Sequence, residues 1–113
     1  MDCLFCRIAA GEIPAEVVFQ DDEFIAFRDI HPQAPKHVLI IPKTHISSLN
    51  DVGEMQQGLM GRILLTAKKI AEIEGIAEKG YRISLNTGHD GGQLIPHLHF
   101  HLLGGRRVDD ILG

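Results

Sequence analysis

Between His97 and His101 the chain reads His-Leu-His-Phe-His and continues into Leu102-Leu103. Side chains alternate across a β-strand, so His97, His99 and His101 project from one face while Leu98, Phe100 and Leu102 project from the other, toward a core. A fold that accepts this strand must bury one of its faces and give the other a task. Imidazole is seldom used for a plain wet face, and it is the side chain that both titrates near neutrality and attacks as a neutral nucleophile. Each two-residue step spans roughly 6.5 Å, which leaves the outer histidines about 13 Å apart at their backbones, too far for all three to bind one metal.

The rest of the pattern predicts what packs around that strand. A short helix is expected over Asp2 to Ala9, ended by Gly11 and Pro14. Three β-type runs follow, Val17-Val18-Phe19, Phe24 to Phe27 and Val38 to Ile41, separated by Asp21-Asp22 and the proline-bearing His31 to Pro35. From about Gly53 to Ala77, Met55, Leu59, Ile63, Ala67, Ile70 and Ile73 recur at helical spacing and predict one long helix. Strand character returns in Tyr81 to Asn86, and after a glycine-rich loop the histidine strand runs from His97 to about Leu103. The order β-β-β-α-β-β, with no further βαβ alternation, predicts an α+β fold: an antiparallel sheet of about five strands, one long helix and a short N-terminal helix. The 113 residues, 44% of them hydrophobic, are expected to form a single domain over 1–113.

Charge and hydropathy exclude several functions. The formal charge is −4, and no basic cluster exceeds Lys68-Lys69 or Arg106-Arg107, so polymeric nucleic acid is not an expected partner. No basic-then-apolar leader and no run long enough for a membrane span appear, and a cytoplasmic location is expected. Hydrolytic zinc chemistry would need a third ligand beside two of the histidines, and no H-E-x-x-H supplies one. Cys3 and Cys6 form a C-x-x-C that does not follow a strand as a redox site would, and a reducing compartment disfavours a structural disulfide. They are either two ordinary thiols or half of a zinc site completed by nitrogen donors.

The histidine run followed by Leu102-Leu103-Gly104-Gly105-Arg106 resembles the histidine triad superfamily, whose motif alternates three histidines with apolar residues. The similarity extends through Glu12-Ile13-Pro14-Ala15, Phe27-Arg28-Asp29-Ile30, Pro32-Gln33-Ala34-Pro35, Lys36-His37, Ile41-Pro42-Lys43 and Asp90-Gly91-Gly92-Gln93, which resemble the Hint branch. That resemblance implies a HIT-like fold, a homodimer with a nucleotide site in each subunit, and hydrolysis of purine nucleoside 5′-phosphoramidates to the monophosphate and a free amine. A dinucleotide hydrolase or nucleotidyl transferase, and a non-catalytic nucleotide-binding module, are the rival readings.

Carried onto these residues, the resemblance makes His99 the nucleophile at the α-phosphorus. His101 becomes a contact to the phosphoryl oxygens or bridging atom and a proton donor to the amine. His37 positions the nucleophile, and His97 completes the triad. Leu4, Phe5, Ile8, Phe27, Ile30 and Leu39 would hold the base and Asp29 the ribose hydroxyls. Gly88, Gly91 and Gly92 would bring main-chain N–H groups toward phosphate, with Asn86 and Gln93 offering amide donors. Leu94 departs from the pattern, standing where many Hint proteins carry a phosphate-contacting serine. Relatives with this N-terminal C-x-x-C imply a closed structural zinc set of Cys3, Cys6, His45 and His97.

Overall fold

The computed structural model describes residues 3–108. They form α1 (Leu4–Ala9), β1 (Val17–Gln20), β2 (Phe24–Arg28), β3 (Lys36–Pro42), α2 (Gln57–Ile73), β4 (Tyr81–Leu85) and β5 (Phe100–Gly104). The five strands make one sheet in the order β1-β2-β3-β5-β4, every neighbouring pair antiparallel. Strands β3 and β4 therefore run parallel, with α2 carrying the chain between them and β5 returning into the gap.

Local chemistry sets the turns. Asp21 Oδ1 accepts the N–H groups of Glu23 and Phe24 at 2.9 and 2.8 Å, which folds the β1–β2 hairpin. Helix α2 stops at Gly75, whose φ of +75° an L side chain resists, so the expected extension to Ala77 is not made. At its other end a separate 3₁₀ turn, Glu54–Gln56, replaces the first expected helical turn. That turn falls out of phase with the apolar stripe, and Met55, expected on the inner face, is 99% exposed. Ile73, at the last helical residue, is also exposed, while Ile63, Ala67 and Ile70 are buried as the spacing predicts.

The sheet is covered on both faces. Phe24, Ala26, Val38, Ile40, Phe100 and Leu102 pack against α2. On the opposite face Ile25, Phe27, Leu39 and Ile41 pack against Cys3, Phe5 and Ile8 of the N-terminal segment. Leu98 joins the first cluster, and His37 lies one residue out of step with Val38 and so on the second face.

Strand β5 begins three residues later than the sequence implies. His97 and Leu98 do not enter the ladder; their N–H groups donate to Ile95 O at 2.8 Å and Ile46 O at 2.6 Å. The alternation of faces nevertheless survives.

A partly buried ion pair ties the helix end to the sheet. Arg28 grips Glu74 with both Nη groups at 2.6 and 3.1 Å, and Glu16 at 2.8 Å, while the Glu74 side chain is 7% exposed. Arg28→Ala leaves that carboxylate buried with only Lys36 Nζ at 3.9 Å. A loss of about 2 kcal/mol is expected, which lowers the thermal midpoint by roughly 10 °C in a circular-dichroism melt. An unchanged midpoint would remove this pair from the account of stability.

Candidate active site and metal centre

Four histidines lie on the face opposite α2, in two groups. His37, His97 and His99 are buried, and His101 is half-buried. Hydrogen-bond partners assign their tautomers, since a main-chain N–H can only donate and a carbonyl can only accept.

His99 Nδ1 lies 2.7 Å from His97 O, so Nδ1 carries the proton and Nε2 keeps its lone pair. The Phe5 and His101 rings stand edge-on to His99, each with centroids 5.1 Å away, and hold it in place. For His37, the Gln33 main-chain N–H donates to Nδ1 at 3.0 Å, which puts the proton on Nε2. That Nε2–H faces His101 Nδ1 at 2.9 Å, with Asp29 Oδ2 at 3.5 Å from the same nitrogen. His101 therefore carries its own proton on Nε2. No buried side-chain nitrogen or oxygen among the described residues lacks a partner, so the Nε2 atoms of His99 and His101, which have none, meet solvent. The face thus presents one bare imidazole nitrogen beside one protonated one.

Burial favours the neutral form of His101 and of His37. It pushes His101 down to about 4, with His99 and His37 adding to the effect, and it pushes His37 down against the pull of Asp29. A histidine depressed in the folded state binds fewer protons there than in the unfolded chain, so stability is present above the unfolded value and lost as pH falls toward the folded one. For His101 that window runs from about 6.5 to about 4. Melts are expected to be flat above pH 7 and to lose up to about 3 kcal/mol by pH 4 through this residue. Midpoints equally flat across that window would contradict the assigned neutral state.

Cys3 Sγ, Cys6 Sγ, His45 Nδ1 and His97 Nδ1 converge within 4.8 Å of one another and can hold a metal ion. The S···N separations are 3.2 to 3.5 Å and the N···N separation is 3.2 Å. Tetrahedral zinc requires S···N edges of about 3.5 Å and an N···N edge of about 3.3 Å, so the donors need only a small expansion to fit. His97 Nε2 donates to Pro42 O at 2.9 Å, which leaves Nδ1 bare as a ligand must be. His45 Nε2 meets Ser47 Oγ at 3.2 Å, a hydroxyl able to accept its N–H and so leave Nδ1 free to ligate. Cys3 Sγ also accepts the Cys6 N–H at 3.3 Å, capping α1.

Asp29, His37 and His101 also lie within 4.8 Å of one another, but they do not fit a metal. The Gln33 N–H at Nδ1 fixes a proton on His37 Nε2, the atom that would have to ligate, so this group is a hydrogen-bonded relay.

The other expected residues divide. Phe5, Ile8, Phe27 and Leu39 are buried together beside the histidines, whereas Leu4 and Ile30 are exposed, Ile30 by 86%. Asp29 Oδ1 accepts the His31 N–H at 2.8 Å. In the glycine loop the amide donors expected at Asn86 and Gln93 make hydrogen bonds within the protein. Gln93 Nε2 donates to Ser47 O at 2.7 Å and Ile95 O at 3.0 Å, and Asn86 Nδ2 donates to Gly91 O at 2.8 Å, so both amides shape the loop. The N–H groups of Gly88, Gly92 and Gln93 are engaged within it as well. Leu94 is 88% exposed, and its N–H has no partner among the described residues. The residues that sequence reasoning missed are Gln33 and Pro42, because they act through main-chain atoms that carry no side-chain signature.

The sheet, the helix arrangement and the paired histidine tautomers define a histidine triad domain. A family model for the HIT domain matches residues 10–108, and the chain belongs to that family. The chain is 50% identical over 111 residues to a purine nucleoside phosphoramidase from Escherichia coli strain K12, covering 98% of this chain and 93% of that one. Among solved structures it superposes on a HIT family hydrolase from Legionella pneumophila with a TM-score of 0.96 and 54% identity, over 99% of this chain and all of the other. A zinc-bound histidine triad family protein from Mycobacterium smegmatis matches with a TM-score of 0.80 and 31% identity, over 100% and 81% of the two chains.

Proposed function

We propose that the protein is a hydrolase that cleaves the P–N bond of purine nucleoside 5′-phosphoramidates. The observation that carries this reading is the bare Nε2 of His99, fixed by the Nδ1–H bond to His97 O and set beside the protonated Nε2 of His101. His99 Nε2 attacks the α-phosphorus, and a nucleotidyl group forms on that nitrogen as the P–N bond to the amine breaks. His101 donates a hydrogen bond from its Nε2–H to the phosphoryl oxygens or the bridging nitrogen, and the amine departs with a proton taken from solvent water. Water then breaks the new N–P bond and releases the nucleoside monophosphate.

Binding follows from the same face. The base lies along the apolar group of Phe5, Ile8, Phe27 and Leu39, with Leu4 and Ile30 as an exposed apolar rim that it covers. Asp29 receives the ribose hydroxyls, and the unengaged N–H of Leu94 serves the phosphate where a side-chain hydroxyl is missing. Asn86, Gly92 and Gln93 hold the loop that presents it.

Cys3, Cys6, His45 and His97 are proposed to hold a structural zinc ion. With four protein ligands the set is closed, so the metal would supply a covalent-like tie between the N-terminus and the sheet and no open position for chemistry. A homodimer in the cytoplasm belongs to the same proposal. Strand β4 is an unpaired sheet edge, and Leu64 and Leu65 of α2 are exposed apolar residues that a second copy can cover.

The test is phosphorus NMR of the protein with adenosine 5′-phosphoramidate in EDTA. Conversion to AMP is expected. AMP binding without conversion would replace the hydrolase by a nucleotide-binding module.

A further inference from the structure

The segment after β5 touches the loop that sets the histidine tautomers, and nothing in the proposed chemistry accounts for the contact. Arg106 Nη2 donates to Gln33 O at 2.6 Å, and its Nη1 donates to Arg107 O at 2.7 Å. The guanidinium thereby bridges two main-chain carbonyls on separate segments. Gly105, immediately before it, has φ +91°, and a Cβ there would sit 2.9 Å from Pro35 Cβ. Only glycine at this position lets the turn press so closely on the His31–Pro35 loop.

That loop controls the relay. The Gln33 N–H points at His37 Nδ1, Gln33 Nε2 donates to His31 O at 3.4 Å, and the His31 N–H binds Asp29. If Gln33 moves, His37 loses the donor that forbids a proton on Nδ1, and both neutral tautomers become available to it. His101 then loses its fixed donor from His37 Nε2 in turn.

We propose that Arg106 is a positioning residue, whose guanidinium clamps the His31–Pro35 loop so that the Gln33 N–H holds His37, and through it His101, in a single tautomer. The inference rests on the hydrolase reading for its consequence in turnover but not for its structural content. Arginine suits the role because its planar fork carries donors in fixed directions, whereas a lysine ammonium is one flexible point.

The experiment compares wild type, Arg106→Ala and Arg106→Lys by long-range proton–nitrogen correlation of the imidazole rings, with steady-state hydrolysis of adenosine 5′-phosphoramidate in parallel. Wild type should show one protonated and one bare nitrogen at both His37 and His101. Arg106→Ala should average the two nitrogens at both rings and lower kcat by about tenfold with KM little changed, with lysine intermediate. Wild-type nitrogen shifts at both rings in Arg106→Ala would overturn the proposal whatever the rate. Should wild type hydrolyse nothing, the hydrolase reading fails while the ring spectra still decide the role of Arg106.

Discussion

His99→Ala is expected to abolish release of AMP from adenosine 5′-phosphoramidate, lowering kcat by about 10⁴-fold or more. The size follows from what the substitution removes. The proposed reaction replaces one difficult displacement by two easier ones joined by a bond to His99 Nε2, and alanine offers no atom for that bond. His101 cannot take over, because its Nδ1 already receives the His37 N–H and its Nε2 carries a proton. His101→Ala should cost less, about 10²- to 10⁴-fold, as removal of a hydrogen-bond donor at the reacting atoms does. The His99 variant should still melt cooperatively and still bind AMP, because the apolar group and Asp29 are untouched. Phosphorus NMR reads the outcome directly: turnover that survives His99→Ala would reject it as the nucleophile.

Cys3→Ser should strip the metal and a large part of the stability together. Purified without chelator, wild type is expected to carry about one zinc per chain by elemental analysis, and the variant very little. Cys3 is buried, and its Sγ stands 3.3 Å from His97 Nδ1, so the serine hydroxyl leaves a hole in a sealed donor set. A midpoint lower by roughly 10 to 20 °C is expected, since ligation free energy in so small a domain is folding free energy. Zinc-free wild type with a midpoint that Cys3→Ser leaves unmoved would mean that the four residues are held by their hydrogen bonds alone.

Much of this arrangement could be read from periodicity and motif. The alternation from His97 to Leu102 assigned both faces correctly, and the order of elements predicted the α+β class. The convergence of Cys3 and Cys6 with His45 and His97 came from resemblance, and the donor separations support it. What the sequence could not carry was main-chain chemistry. That His97 O would fix His99, that the Gln33 N–H would fix His37, and that Gln93 would turn its amide inward all depend on where the backbone goes. The helix start departs from the apolar pattern for a related reason: Met55 matches the period, but a single 3₁₀ turn rotates it outward.

The late start of β5 has a bearing on how tightly this site can be altered. A residue inside a central strand has its carbonyl claimed by a neighbour, and β5 is flanked on both sides, by β3 and by β4. Because pairing stops at Phe100, the oxygen of His97 is at liberty to grip the His99 ring, while the His97 side chain turns toward the cysteines. Extending the regular ladder back through His97, a change that would ordinarily strengthen a sheet, would here draw that oxygen back into the ladder and release the ring. Fraying of the sheet at this one place is thus a condition of its chemistry, and variants selected only for sheet stability should tend to lose activity first at His97.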